Sequence, residues 1–208
     1  MKKTTIFFRF TLLLLLAIVV CCTQESIEDQ LPPITQTGAN TFAFAYDGVV
    51  FTPTDGNSRG FGIDGSGASG LSVYGDYSGT EHHSNRIEAI RFTNTKNVDV
   101  IYVYIYKLRS RGVGTYILEA YNSRGGGKQP YNSYISMYAK SPSSGEWVMY
   151  YSYENSGEII ITRKDEDHII FSGTFSGKLK SWNGTETIEI SHGRFDINKR
   201  TFRDKEYK

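Results

Sequence analysis

Two thiols stand side by side at Cys21 and Cys22, and they are the only cysteines in the chain. Directly behind a secretion leader, such a cysteine is the acceptor that lipid machinery acylates in a bacterial lipoprotein. The leader is present: Met1, Lys2, Lys3 and Arg9 give a positive start and Leu12 to Val20 is an unbroken apolar run. Cys22 is the better acceptor, because Cys21 is small enough for the position before the cut whereas Val20 serves Cys21 less well; Cys21 is the alternative. An uncleaved signal anchor and plain secretion are the competing readings. A span of hydrocarbon needs about 20 apolar residues, and Arg9 stops the run well short of that. Ordinary secretory cleavage needs small residues in an A-x-A arrangement, which Ala17-Ile18-Val19-Val20 lacks. The expectation is a palmitate-type acyl anchor in the outer membrane of a cell envelope, on either its periplasmic or its surface face.

Once the leader is removed, no cysteine is left for a disulfide, a zinc thiolate or a thiol nucleophile. Gly65-Ser66-Gly67-Ala68-Ser69-Gly70 spells G-x-G-x-x-G, but Leu71-Ser72-Val73-Tyr74 behind it has strand character, and a dinucleotide site needs a helix N-terminus there. His82-His83 beside Glu81, and His168 beside Asp165-Glu166-Asp167, each supply too few converging ligands for zinc. The acidic triplet reads as a solvated hairpin turn, with calcium as the lesser alternative. Asn183-Gly184-Thr185 matches a glycosylation sequon that turn chemistry explains equally. No G-x-S-x-G elbow occurs. The expectation is therefore no cofactor, no metal and no catalytic residue; paired carboxylates for glycoside hydrolysis depend on the fold and stay open.

Tyrosine is the remaining signal. The chain has 15 Tyr, and Tyr102, Tyr104 and Tyr106 share one strand, Tyr134 and Tyr138 another, and Tyr151 and Tyr153 with Trp147 a third. Amphipathic rings with a polar tip suit recognition of sugars, peptides or partner proteins. Cross-strand pairing that merely stabilises the sheet explains the same spacing. These eight residues are the ligand-binding candidates, for a glycan or a protein.

The elements that carry them alternate with period two. Ile101, Val103 and Ile105 alternate with the three tyrosines, and Phe42, Phe44 and Tyr46 do likewise before an Asp47-Gly48 turn into Val49 and Phe51. Ile169, Phe171, Phe175 and Leu179 stand opposite polar Ser172, Thr174, Ser176 and Lys178. Past the Asn183-Gly184 turn, Ile188 and Ile190 have one parity and Phe195 and Ile197 the other. A β-bulge at His192-Gly193 restores the inward face. No stretch behind the leader has helical spacing. About ten strands between Phe42 and Ile197 make an all-β protein, a single antiparallel β-sandwich or barrel-like domain. The expected division is a signal peptide over 1–21, a lipidated N-terminus and polar tether over 22–40, and one β domain over 41–208. Fully extended, that tether reaches ~60 Å.

Leu31-Pro32-Pro33-Ile34-Thr35-Gln36-Thr37-Gly38-Ala39-Asn40-Thr41-Phe42, the Asp47-Gly48 turn and Val49-Val50-Phe51-Thr52-Pro53 resemble the opening of an uncharacterised family of Bacteroidota lipoproteins, a domain of unknown function. Ser172-Gly173-Thr174-Phe175 and Gly193-Arg194-Phe195-Asp196 resemble its closing motifs. Ala43-Phe44 stands where Gly-Cys is common in that family, and Asn198 to Lys208 extends past the usual end. The resemblance implies an all-β envelope domain and transfers no activity.

Removing Lys2, Lys3 and Arg9 leaves 20 Lys and Arg against 22 Asp and Glu, a balance that argues against a nucleic-acid or anionic-lipid surface, which would need a basic stripe. The partners expected are the membrane, through the anchor, and a glycan or protein ligand. The reading is a non-enzymatic envelope lipoprotein serving as a binding or structural surface module. The alternative is a carbohydrate-active or other hydrolytic enzyme, which would need a deep cleft with two converging acids.

Overall fold

Apolar alternation becomes ten strands: β1 (Thr41–Tyr46), β2 (Val49–Phe51), β3 (Leu71–Gly75), β4 (Asn85–Phe92), β5 (Val98–Ile105), β6 (Gly114–Ile117), β7 (Tyr134–Lys140), β8 (Trp147–Lys164), β9 (Ile170–Ser181) and β10 (Thr187–Asn198), with one short helix, α1 (Leu108–Arg111), after β5. The computed structural model describes residues 25–56, 69–75, 85–92, 98–121, 131–165, 167 and 169–208. Every named strand pairs antiparallel with its neighbour, in the order β2-β1-β10-β9-β8-β7-β5-β4-β3, with β6 alongside the far half of β8. The sheet curls into a half-barrel, the barrel-like form of the all-β expectation. Among the described residues no helix is long and apolar enough to cross a membrane.

The inward parity holds the core. Ile101, Val103 and Ile105 on β5, Ile135 and Met137 on β7, Ile159 and Ile161 on β8, and Phe175 and Leu179 on β9 are all buried. Asp47 and Gly48 both have positive φ, 45° and 80°, as the two-residue turn that matches strand twist requires. On β10 the pairing steps from Ile190↔Gly177 to Gly193↔Phe175, so β10 spends one residue more than β9, and His192 takes φ 55°. That bulge lets Ile188, Ile190, Phe195 and Ile197 all face inward despite their change of parity.

The two edges of the curl are tied together by one side chain. Arg91 of β4 points inward, pairs with Asp99 of β5 through Nε at 2.9 Å and through Nη2, and donates from Nη1 to the Val50 carbonyl of β2 at 2.7 Å. Its Nη2 also donates to the Tyr46 hydroxyl at 2.8 Å, and its guanidinium lies over the Phe51 ring. Thr54 adds a backbone bond to Ile90 of β4. The C-terminal extension reinforces this closure: the Tyr207 backbone exchanges bonds with Asp55, and Lys205 donates to the carbonyls of Ala39 and Asn40.

The opening and closing motifs form one device. Phe175, Thr174, Gly173 and Ser172 pair in turn with Gly193, Arg194, Phe195 and Asp196. Each glycine sits under the other motif's ring: a Cβ on Gly173 would come within 2.8 Å of Phe195, and one on Gly193 within 2.6 Å of Phe175. Asp196, on the outer face, accepts from the Ser172 hydroxyl at 2.6 Å, the Thr35 hydroxyl at 2.7 Å and the backbone amides of Thr37, Gly38 and Ala39 at 2.9, 2.8 and 3.0 Å. Arg194 donates to the Pro32 carbonyl, and Leu31 is buried. Residues 31–40 are therefore strapped onto β9 and β10, and the compact unit that holds the sheet spans Leu31–Lys208. The strap has a physical cause: Asp196 offers a buried charge whose hydrogen-bond donors, among the described residues, lie in that segment and on Ser172. Within the preceding unit, Ser26 and Asp29 cap a 3₁₀ turn at Glu28–Gln30 through mutual hydrogen bonds.

Candidate functional site: the aromatic outer face

Alternation that sends Ile101 and Val103 inward sends Tyr102 and Tyr104 outward, and cross-strand register assembles the rest. Tyr104 lies opposite Tyr134, and their rings stack at 5.0 Å. Tyr102 lies opposite Ser136, which lies opposite Tyr151, which lies opposite Lys180. Tyr138 stacks on Trp147 at 5.4 Å. Tyr121, just past β6, stacks on Tyr151 at 5.1 Å and meets Tyr134 edge-on at 4.9 Å. Seven of the eight nominated residues, Tyr102, Tyr104, Tyr134, Tyr138, Trp147, Tyr151 and Tyr153, thus occupy one face of β5, β7 and β8. Tyr106 lies one residue beyond β5, with the Lys107 ammonium 5.2 Å from its ring centre.

Within this face the rings divide into a base and a rim. Tyr104 and Tyr134 are only 4% and 6% exposed, and their stacked faces are spent on each other. For this pair the cross-strand alternative left open by the spacing is what holds, each stack being worth about 0.5–1.5 kcal/mol beyond burial. Among the described residues the exposed rings are Tyr153 and four that period-two reading passed over: Tyr74, Tyr121, Tyr131 and Trp182. Tyr121 and Tyr131 lie outside strands, where no alternation marks them. Trp182 did carry a signal, a large ring immediately before the Asn183-Gly184 turn, where nothing local can bury it.

Arg86 of β4 lies on the same face, opposite Tyr74 and Tyr104. Its guanidinium sits 4.5 Å from the Tyr74 ring centre and 5.4 Å from that of Tyr102, with the Glu88 carboxylate at 3.8 Å. Its Nε is buried without a hydrogen-bond partner. Burial raises the phenol pKa of Tyr102, Tyr134 and Tyr151, and a neighbouring group, Glu88 for the first and Tyr121 for the other two, raises it further. The hydroxyls therefore stay protonated at physiological pH. They can donate and accept hydrogen bonds but supply neither a base nor a nucleophile. Burial also raises the Glu88 pKa against the opposing pull of Arg86.

A pocket of about 270 Å³ lies beside this face at the β3 edge, where Leu71, Val73 and Tyr74 meet Phe202 and Arg203. Its lining holds no carboxylate, so it is not the two-acid cleft that the hydrolase alternative needs. Among the described residues no three His, Cys, Asp or Glu side chains gather where they could hold a metal. Asp165 accepts from the Ile169 and Ile170 amides at the β8–β9 turn. The leader with Cys21 and Cys22, most of the Gly65–Gly70 run, Glu81 with His82-His83, Glu166 and His168 lie outside the described residues.

Fold and face together define an all-β protein built as a curled antiparallel sheet with an aromatic exterior and a strapped N-terminal segment. Compared with protein-family models, curated proteins and solved structures, the chain matches none.

Proposed function

We propose that the chain is a lipid-anchored protein of the cell envelope, acylated at Cys22 or Cys21 and held in the outer membrane, whose β domain acts without catalysis as a binding module through its aromatic outer face. The anchor is supported by the leader and by the confinement of both thiols to its end. The motif resemblance to Bacteroidota lipoproteins points to the same compartment.

One observation carries the binding reading: exposed rings of Tyr121, Tyr153 and Trp182 stand over a floor of stacked aromatics on a rigid sheet. Preordered rings bind with little loss of side-chain freedom. The test is an array of envelope glycans and peptides probed with the full chain in detergent, wild type against Tyr121→Ala/Trp182→Ala. Signals that the double substitution removes while the melting transition stays cooperative and drops only by the few degrees that the lost Tyr121 ring contacts account for support the reading. Signals that ignore it, or an empty array for both proteins, refute it. Mass spectrometry of the mature N-terminus tests the anchor separately: an intact, unacylated Met1 terminus rules it out.

A further inference from the structure

We infer that the ligand of this face is an anionic glycan gripped beside the β9–β10 turn, an inference that rests on the surface reading above. Trp182 is 74% exposed, the most of any large hydrophobic side chain among the described residues. Its backbone amide donates to the Met149 carbonyl at 2.9 Å. That bond sets it one strand across from Met149 and diagonal to Trp147 and Tyr151, where antiparallel neighbours lie about 7–8 Å apart. A bare indole in water on a short turn gains nothing for the fold, but it suits the apolar face of a sugar ring.

The charges beside it set the class of sugar. Lys178 and Lys180 precede Trp182 on β9; both are exposed, and neither forms an ion pair among the described residues. Lys180 holds its ammonium 5.3 Å from the Tyr153 ring centre. At the opposite side Arg86, with its unpartnered buried Nε, caps Tyr74 and Tyr102. From β4 to β9 is four strand spacings, ~19 Å, so cations flank an aromatic floor as long as a short oligosaccharide. Arg86 already has Glu88 at 3.8 Å, so the demand for an anion falls on Lys178 and Lys180: a neutral glycan would leave both lysines unused, and an acidic peptide would leave the rings unused. A chain of sugar rings bearing carboxylate or sulfate groups uses both. The chain behind the leader is slightly acidic as a whole, so its net charge gives no general attraction for polyanions.

Affinity electrophoresis of the full chain in detergent, through gels containing polygalacturonate, neutral dextran or polyglutamate, separates ring plus charge from ring alone and charge alone. The expected result is retardation by polygalacturonate that weakens with added salt. Trp182→Ala weakens it about tenfold, the scale of one lost aromatic contact, and Lys178→Gln/Lys180→Gln flattens its salt dependence. Both variants keep the wild-type melting temperature because the three positions are exposed. Equal retardation by polyglutamate, indifference to Trp182→Ala, or no retardation by polygalacturonate overturns the inference. Retardation by dextran alone that still depends on Trp182 overturns the anionic assignment and leaves the surface reading standing. Ligand binding of any class that ignores both Tyr121→Ala and Trp182→Ala removes the two together.

Discussion

Replacing Asp196 tests the strap that joins the two ends of the chain. Its carboxylate is 1% exposed and accepts five hydrogen bonds at 2.6–3.0 Å, from Thr35, Thr37, Gly38, Ala39 and Ser172. A hydrogen bond to a charged group contributes about 1.5–3 kcal/mol, but five that share one acceptor do not add. With the carboxylate gone, either the three amides and the Thr35 and Ser172 hydroxyls stay buried without a partner, or the strap peels off the outer face, returns them to water and forfeits its contacts. Asp196→Ala should therefore cost about 3–5 kcal/mol, the scale of breaking a buried charged network, and lower the melting temperature by about 10 °C in a domain of this size. Asp196→Asn keeps the volume and one acceptor oxygen but turns an NH₂ toward hydrogen-bond donors, so its loss should be about half as large. Differential scanning calorimetry reads the stability. Hydrogen exchange at Thr37, Gly38 and Ala39 reads the strap itself and should accelerate in both variants. Unchanged melting together with unchanged protection at those three amides would refute the argument. The pH dependence has a definite sign. Burial pushes the Asp196 pKa up, but the Ala39 amide, the Ser172 and Thr35 hydroxyls and the Gly38 amide outweigh it, and the folded value lies below the ordinary one. A depressed carboxylate stabilises the fold above the unfolded pKa of about 3.9 and loses that contribution as the pH falls through the folded value. The wild type should thus lose stability more steeply than Asp196→Asn across that acidic window.

Breaking the seam should cost somewhat less: Asp99→Ala leaves the half-buried Arg91 without its carboxylate but with its bonds to Val50 and Tyr46, for a loss of about 3 kcal/mol, the low end for a broken ion pair, measurable by urea denaturation, and a loss under 1 kcal/mol would mean water replaces the carboxylate. Gly173→Ala drives a methyl against the Ile160 carbonyl oxygen, 2.3 Å from where the Cβ would stand, and into the Phe195 ring at 2.8 Å, and should destabilise by about 1–3 kcal/mol through overpacking; Gly173→Ala/Phe195→Leu should recover little of it, because the backbone oxygen stays in place, and full recovery would mean that the ring alone is the obstacle. Tyr104→Leu removes one stack from the base of the aromatic face and should cost about 0.5–1.5 kcal/mol, with a double-mutant cycle against Tyr134→Leu showing coupling of that size if the two rings stabilise each other.

What could be read from the chain was local. Period two fixed the inward set on β5, β7 and β9, and Asp47-Gly48 announced its hairpin because a positive φ is a property of those residues themselves. The parity change between Ile190 and Phe195 even exposed the bulge, since one extra residue is the way to keep both ends of β10 facing inward. The motifs at 31–42, 172–175 and 193–196 were visible as strings, but their meaning was not: Asp196 finds its strap partners about 160 positions away, and a polar, proline-containing segment looks the same whether it hangs free or is bound.

The aromatic face divides along the same line. Alternation determined which tyrosines share a strand face. Only tertiary structure decided that Tyr104 and Tyr134 would bury each other, that Tyr121 would arrive from a loop, that Trp182 would stand bare beside two lysines, and that Arg91 would close the curl. Side-chain periodicity reports the residues a few positions away along the chain, whereas cover, cross-strand partners and unpaired charge are set by strands brought together across long loops. Those relations exist only after the chain has folded.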